Sequence, residues 1–475
     1  MKIPIIGLVL TLCAGAQPLA VRLPPFTREV LPNGVVLRLM PKADAPLLSL
    51  RAVVRGGAES DPPGLAGLSS VVVSLLTHGT TTRTAEQFAS DLDFLGASIQ
   101  GYVGPQSSTI ELDVLPANAA AAIALLADAI VRPAFPETEV HGQLRRSIEM
   151  ARSRKDSPDD AVWQYFRSFF FRPPHPYGRP FRGDQLTLER IGRAEVIGHY
   201  SRMYVGRNLI LTAVGPFAEP ELRAILTNDF RGLAAVRRYQ WLKAPRARRS
   251  GSARLLLVDK PDATQTEFVI GLPGIGRTDP DRVPLWLVNN ILGGRFTSLL
   301  NERLRVEAGL TYGAYSYVEQ DRLNGAITLH SSTATADTER AIALSLDVLR
   351  RFTKEGVSAG QLAAARTYLK AAYPPENLQT AGQLADLLGE LELYGLGRDE
   401  IDGLFARLDT VTIKEANRVL RRHYSGAGPV LVLIGRAQEL RRQVRGYGAT
   451  MTEASITDPG FLDLAQDERV SNSRR

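Results

Sequence analysis

Tyr204-Val205-Gly206-Arg207-Asn208-Leu209-Ile210-Leu211-Thr212-Ala213-Val214-Gly215 closes the first half of the chain, and His423-Tyr424-Ser425-Gly426-Ala427-Gly428-Pro429-Val430-Leu431-Val432-Leu433-Ile434-Gly435 closes the second. Their last glycines stand 220 residues apart. Ala122-Ile123-Ala124-Leu125 matches Ala341-Ile342-Ala343-Leu344 at an offset of 219, and Gln143-Leu144 matches Gln361-Leu362 at 218. An offset that holds across three segments implies duplication of one large unit, not a short-period solenoid. The chain therefore divides into one domain over 24–232 and another over 253–447. The basic, Ala- and Pro-containing stretch Val236–Ser252 reads as the linker. Residues 450–475 are polar and aperiodic, which predicts a mobile tail.

Each half mixes strands and helices. Asn33-Gly34 between Val30-Leu31 and Val35–Met40 is a hairpin signal. Leu47–Val54, Ser98–Val103, Ser108–Leu115 and Leu209–Val214 read as strands. Helices are expected over Gly64–Leu76, Ala85–Leu95 (capped by Thr84), Ala117–Val131, Pro136–Arg154, Pro158–Phe171 and Glu195–Met203. The second half repeats the order, with strands at Ala253–Val258 and Glu267–Gly271 and helices at Pro284–Leu292, Thr338–Phe352 and Ser358–Ala372. Strands segregated from helices predict an α+β fold, a tandem duplication in which each half is an antiparallel sheet packed with helices.

The 475 residues are 44% apolar and 23% charged. At about 150 residues per domain the length allows two or three domains. This composition excludes collagen, long disordered chains and multi-span membrane proteins. The 57 basic and 50 acidic side chains give a net charge of +7, spread along the chain, so no nucleic-acid partner is expected. The one cysteine, Cys13, lies in a run with a single Lys2, a short apolar stretch and a small-residue end at Ala14-Gly15-Ala16. Residues 1–16 read as a cleaved signal peptide, which predicts a periplasmic or secreted protein with no membrane attachment after cleavage. A lipoprotein site at Cys13 is the alternative, and bulky Leu12 argues against it. The six histidines are His78, His141, His175, His199, His330 and His423, and no two fall within five residues of each other. A zinc-binding histidine pair on one helix is thereby excluded.

Gly64-Leu65-Ala66-Gly67-Leu68, Gly79-Thr80, Arg83-Thr84-Ala85-Glu86 and Leu95-Gly96-Ala97 resemble the first domain of the pitrilysin/insulinase family of inverted zinc peptidases. His175-Pro176-Tyr177-Gly178-Arg179-Pro180 is similar to a segment later in that domain. Gly293-Gly294-Arg295-Phe296-Thr297-Ser298-Leu299-Leu300-Asn301, Leu304-Arg305 and Gly309-Leu310-Thr311-Tyr312-Gly313 resemble its second domain. The resemblance runs from about Arg28 to about Arg436, and it implies two α+β domains facing each other across a cavity.

Active members of that family carry H-x-x-E-H on a first-domain helix. Two histidines at i and i+4 share a helix face and bind zinc, and the glutamate acts as base on the metal-bound water. Counted back from Gly79-Thr80, the motif falls on Ser70-Val71-Val72-Val73-Ser74. Ser70 and Ser74 stand for the histidines and Val73 for the base. The third ligand, a glutamate on a later helix, lands on Met150, with Glu149 adjacent. No metal or other cofactor is expected in this chain, because Ser and Met are poor zinc ligands here and Val cannot move a proton. The resemblance leaves Arg305 and Tyr312, which in the family reach toward the scissile peptide. A guanidinium and a phenol can hydrogen-bond its carbonyl and stabilise an oxyanion.

Two functions follow. In the first, the chain is a non-catalytic subunit: a zinc-bearing homologous partner holds the metal, this chain supplies Arg305 and Tyr312, and an extended peptide is the substrate. In the second, the chain is a structural scaffold or peptide-binding protein with no part in proteolysis. Other features are weaker. Gly293-Gly294 lacks the Lys-Ser/Thr of a phosphate loop and reads as a helix-end turn. His175 reads as a turn histidine, Asp61-Pro62-Pro63 as a loop, and the Ser70/Ser74 pair has no His or Asp nearby in sequence to activate a nucleophile.

Overall fold

Gly34, at φ 90°, turns β1 (Thr27–Val30) back onto β2 (Val36–Pro41), as the Asn33-Gly34 signal predicts. The first sheet is completed by β3 (Leu48–Arg55), β4 (Ser98–Val103), β5 (Ser107–Val114) and β6 (Leu209–Gly215), in the order β1-β2-β6-β3-β5-β4. The second sheet comprises β7 (Arg254–Asp259), β8 (Gln265–Pro273), β9 (Ala314–Val318), β10 (Ala326–Ala334), β11 (Val430–Gly435) and β12 (Thr450–Ser455), in the order β12-β7-β11-β8-β10-β9. The two orders correspond strand for strand outside β1 and β12, so the duplication read from the sequence is a duplication of architecture. This computed structural model describes residues 20–236, 238–243, 251–426 and 428–462; the signal segment and Cys13 lie outside them.

Three expectations need correction. Neither sheet is wholly antiparallel: β2 runs parallel to β6, and β7 runs parallel to β11 and to β12. Only adjacent strands joined by tight turns are bound to be antiparallel, and β2 and β6 are joined through most of the first half. Thr450–Ser455, expected in a mobile tail, is edge strand β12, because the open side of β7 offers unpaired backbone groups in register from Arg254 to Asp259. The Ser358–Ala372 helix extends over Ala359–Asn377, through Pro374 and Pro375.

β3 is buried along its whole length. Its Leu48, Leu50, Ala52 and Val54 enter the core of the first half, while Ser49, Arg51 and Val53 face the other way, since side chains alternate along a strand. That second face is covered by the Ala381–Leu393 helix of the second half, where the Thr212 hydroxyl donates to the Ala385 carbonyl at 2.8 Å. The reciprocal face of the second sheet is covered by the Pro158–Phe170 helix of the first half. Its Ala161, Val162, Tyr165, Phe166 and Phe169 join Leu256, Val258, Val269, Val432 and Ile434 in one cluster. Each half thus lends a helix to the other. At about 1.5–3 kcal/mol per buried large side chain, the exchange binds the halves firmly.

Candidate functional site

The expected zinc-binding helix begins at Leu68, four residues later than its apolar pattern suggests. Gly67 at its N-cap has φ 92°, a left-handed conformation that ends the preceding loop. Helix N-termini leave backbone N–H groups without partners. Here Asp61, buried, accepts from the N–H groups of Gly67 and Ser69, both at 2.8 Å, and from the Ser69 hydroxyl at 2.6 Å. Burial pushes the Asp61 carboxyl up to about 7, against the pull of those hydrogen bonds. Ser69 Oγ also lies 3.0 Å from His199 Nε2, and burial pushes that imidazole down to about 3. Asp61, Ser69 and His199 are not a nucleophilic triad. Ser69 Oγ lies nearer the Asp61 carboxylate, at 2.6 Å, and the Gly57 carbonyl, at 2.9 Å, than the imidazole; Asp61 does not touch the imidazole as a triad requires, and all three side chains are buried. The network holds the helix end in place.

Ser70 and Ser74 share a half-buried face of this helix. Val73 is buried and packs on β4 at Gly101, where an added Cβ would come within 2.2 Å of Val73 Cγ1. The position where the resemblance puts the catalytic base is therefore filled by an isopropyl group seated on a glycine. Met150 lies on the Glu137–Ser153 helix but is 56% exposed. The inward positions of that helix are Val140, Gln143, Leu144, Ser147 and Ala151, so Met150 is not where a third ligand facing the Ser70/Ser74 helix would sit. A one-residue shift on a helix rotates a side chain by about 100°, which is how a small alignment slip misplaces it. None of the inward residues can ligate zinc strongly.

Arg305 and Tyr312 lie on one corner of the second half. Arg305 belongs to a π-helical turn, Glu302–Glu307, and Gly309 at φ 63° ends it, with its N–H on the Arg305 carbonyl at 3.2 Å and that of Leu310 on Leu304 at 2.8 Å. Tyr312 precedes β9 instead of lying on it, because the strand begins at Ala314. Asn301 Oδ1 accepts from the Ala314 N–H at 2.9 Å, and the Ser331 hydroxyl donates to the Gly313 carbonyl at 2.9 Å, so the corner is fixed. The Arg305 guanidinium sits 4.3 Å from the centre of the Phe296 ring. Among the described residues neither Arg305 nor Tyr312 gives its side chain to a hydrogen bond or ion pair of this chain, and Tyr312 is 86% exposed. Next to them β9 is the last strand of its sheet; its outward Ser316 N–H donates to the Gly293 carbonyl at 3.0 Å, the Ser316 carbonyl accepts from Asn289 Nδ2 at 2.8 Å, and the Tyr315 and Tyr317 rings stack 6.4 Å apart.

Between the halves lies a cavity of about 430 Å³, lined by Tyr102, Thr109, Asp321, Asp386, Glu390 and Tyr394 among others. Burial pushes Asp321 up to about 6 and raises Asp386. Several polar links close the halves around it. Buried Glu59 accepts from Arg322 Nη2 at 2.7 and 2.9 Å and from the Leu242 N–H of the linker at 2.9 Å. Glu392 accepts from Arg28 and Arg38 at 2.9 Å, with Arg55 at 3.6 Å. Burial opposes its charge, but the hydrogen bonds from Arg28 and Arg38 outweigh this and hold its carboxyl below the usual range. Sequence reading finds none of these groups, because their partners are far apart in the chain. Gly293 and Gly294 end a helix as expected, both N–H groups on the Asn289 carbonyl at 2.9 Å, and His175 accepts from the Tyr177 N–H in a turn.

Comparison with known proteins agrees with the two-domain fold. Residues 39–179 match the family model described as insulinase, peptidase family M16, and residues 190–369 match the model described as peptidase M16 inactive domain. An uncharacterised zinc protease of Mycobacterium tuberculosis is 27% identical over 440 residues, covering 90% of this chain and 98% of that protein. A crystal structure described as a peptidase M16 inactive domain from Pseudomonas fluorescens superposes with a TM-score of 0.80 at 20% identity, over 87% of this chain and 98% of the other. A protease from Helicobacter pylori superposes with a TM-score of 0.79 at 17% identity, over 87% of this chain and all of the other.

Proposed function

Because the chain belongs to peptidase family M16, the insulinase family, we propose that it is a non-catalytic subunit that works with a zinc-bearing homologous partner on an extended peptide. The partner holds the metal and activates the water. This chain contributes Arg305 and Tyr312 toward the peptide carbonyl. The observation that carries the reading is a contrast within the chain. The helix where zinc would sit offers Ser70, Val73 and Ser74, with Val73 packed on Gly101, while Arg305 and Tyr312 stand ready on a fixed corner with no partner of their own among the described residues.

The exposed tyrosines of β9 support the peptide part of the proposal. The stacked rings of Tyr315 and Tyr317 give apolar contact for the side chains of a peptide. The proposal includes export through the N-terminal signal, which places both subunits outside the cytoplasm.

The test is affinity capture of the tagged chain from its own cell envelope, followed by peptidase assays on the recovered material. A near-stoichiometric partner bearing H-x-x-E-H is the expected result. Arg305→Ala and Tyr312→Phe should each lower the pair's kcat/KM about tenfold or more while leaving assembly intact, since one lost transition-state hydrogen bond to a charged oxygen is worth roughly 10²–10³ at the upper end. Recovery of the chain alone or as a homodimer, or an unchanged rate in both variants, overturns the proposal and favours a scaffold.

A further inference from the structure

A second cluster of polar side chains lies where the borrowed Pro158–Phe170 helix meets the second sheet, away from the Ser70–Ser74 helix. His330 on β10 places Nε2 3.1 Å from Glu267 Oε2 on β8 and 3.4 Å from Asp159 Oδ1 on the helix. The three donor atoms all lie within 4.8 Å of one another, and among the described residues this is the one place where three such donors converge. We propose that Asp159, Glu267 and His330 form a binding site for a divalent transition-metal ion of the zinc class. No sequence motif marks it, because its ligands come from three elements as distant as 159 and 330.

Geometry is the first argument. Zinc takes imidazole nitrogen and carboxylate oxygen at about 2.0–2.2 Å in a tetrahedral array, which sets neighbouring ligand atoms roughly 3.3–3.6 Å apart. Two of the edges, 3.1 and 3.4 Å, are close to that before any ion has drawn the side chains in. One imidazole with two carboxylates is a donor set that suits zinc, iron and manganese ions over calcium or magnesium, which prefer all-oxygen shells. His330 and Glu267 are largely buried, whereas Asp159 is 66% exposed, so an ion can enter and a fourth position stays open to water.

The duplication supplies the second argument. Aligning Gly215 of β6 with Gly435 of β11 makes Ser49 the counterpart of Glu267, Arg51 of Val269, and Glu111 of His330 through the strand registers. In the first sheet that patch contains a guanidinium of its own. Arg51 reaches Asp386 at 2.9 Å, Asp113 at 3.2 Å and Glu111 at 3.6 Å. In the second sheet Val269 occupies the arginine's place, and among the described residues the carboxylates of Glu267 and Asp159 meet only the His330 imidazole. A metal ion supplies the positive charge that the guanidinium supplies in the other half.

The third argument is the wall behind the site. Trp163 lies 5.0 Å from the His330 ring and 5.8 Å from Tyr317, so the imidazole is held in one orientation and shielded on that side. A bound ion would pin the first-half helix to the second sheet and so stabilise the closed pair of halves by mass action.

The test uses the purified full chain, stripped with a chelator and titrated with Co²⁺, then Zn²⁺. One Co²⁺ per chain should bind, giving the visible absorption of a four-coordinate site and quenching Trp163 emission. Zn²⁺ should displace it and raise the melting temperature. His330→Ala and Asp159→Asn should each weaken Co²⁺ binding at least tenfold, and Asp159 is exposed enough that its variant folds normally. Trp163→Phe should keep the absorption and lose most of the quenching. Absence of saturable Co²⁺ binding, or wild-type affinity in either ligand variant, overturns the assignment.

Discussion

The two halves solve the same packing problem with different chemistry, and the seam between each sheet and its borrowed helix shows how. Over the first sheet the seam is polar: Glu392 gathers Arg28, Arg38 and Arg55, and Arg51 gathers Glu111, Asp113 and Asp386. Over the second sheet the seam is mainly aromatic: Phe166, Phe169, Phe170 and Phe171 pack with Tyr165 and Tyr177, and charged groups such as Arg167, with Glu319 and Asp321, Arg254 on the Phe169 ring and the His330 cluster lie around them. A duplicated fold keeps the position of a contact surface more firmly than its composition. A guanidinium network demands every partner, because a buried charge left alone is costly, whereas an aromatic seam demands shape.

The largest expected effect breaks the polar seam. Glu392→Ala strands three guanidinium groups, of which Arg38 and Arg55 are buried, and should cost about 3–5 kcal/mol in urea unfolding. Burial already pushes Arg55 down to about 10, with Glu392 working against that, so the variant has little reserve there.

Next comes a pair of glycines at the two seams. A Cβ on Gly271 of β8 would fall 2.2 Å from Phe166, while a Cβ on Gly389 of the opposite borrowed helix would meet Val53 at 3.1 Å. Gly271→Ala should therefore lose about 1–3 kcal/mol through overpacking. Gly389→Ala should stay within about 1 kcal/mol of wild type, since the gain in helix propensity offsets a small adjustment of Val53. Equal losses in chemical denaturation would refute the distinction between a rigid aromatic seam and a yielding one.

A smaller effect concerns pH. His199 and His175 are pushed by burial to about 3 and about 4, below their unfolded values, so each binds fewer protons folded than unfolded. Their contribution to stability is complete above about pH 6.5 and is lost as pH falls toward 4. Asp61, raised to about 7, acts with the opposite sign: it binds a proton more readily in the folded state, so its contribution is complete below about pH 4 and is lost as pH rises toward 7. Stability measured from pH 7 to pH 4 should fall less steeply in His199→Gln than in wild type and more steeply in Asp61→Asn. A slope unmoved in both variants would show that neither group titrates as its surroundings dictate.

The smallest effect on stability belongs to the corner residues. Arg305→Ala and Tyr312→Phe should unfold within about 0.5 kcal/mol of wild type, since neither side chain supports the fold through a hydrogen bond or ion pair among the described residues. A large loss at either position would mean that the corner serves the architecture instead of a ligand.

Much of the fold was legible in the chain. The offset near 220 announced the duplication, and Asn33-Gly34 and Gly293-Gly294 marked a hairpin and a helix end that the structure contains. These are local signals, set by backbone conformations that few residues tolerate. The tail was misread because Thr450–Ser455 has no apolar alternation of its own; β7 makes it a strand by offering an edge. Met150 was misplaced because a helix turns every residue by a fixed angle, so a one-residue slip in a distant alignment moves a side chain from the inner face to the outer.

The sequence by itself determined that no two histidines stand at i and i+4 on one helix. Without two histidines on one helix no tertiary arrangement can restore the family's zinc site, because i and i+4 spacing is a property of the chain. Only the tertiary structure decided that each half lends a helix to the other, that Asp61 caps a helix through buried Ser69, and that Asp159, Glu267 and His330 meet at one point. Those partners are separated by long stretches of chain. Their meeting depends on strand register and on which faces two sheets leave uncovered, and no local preference of the residues carries that information.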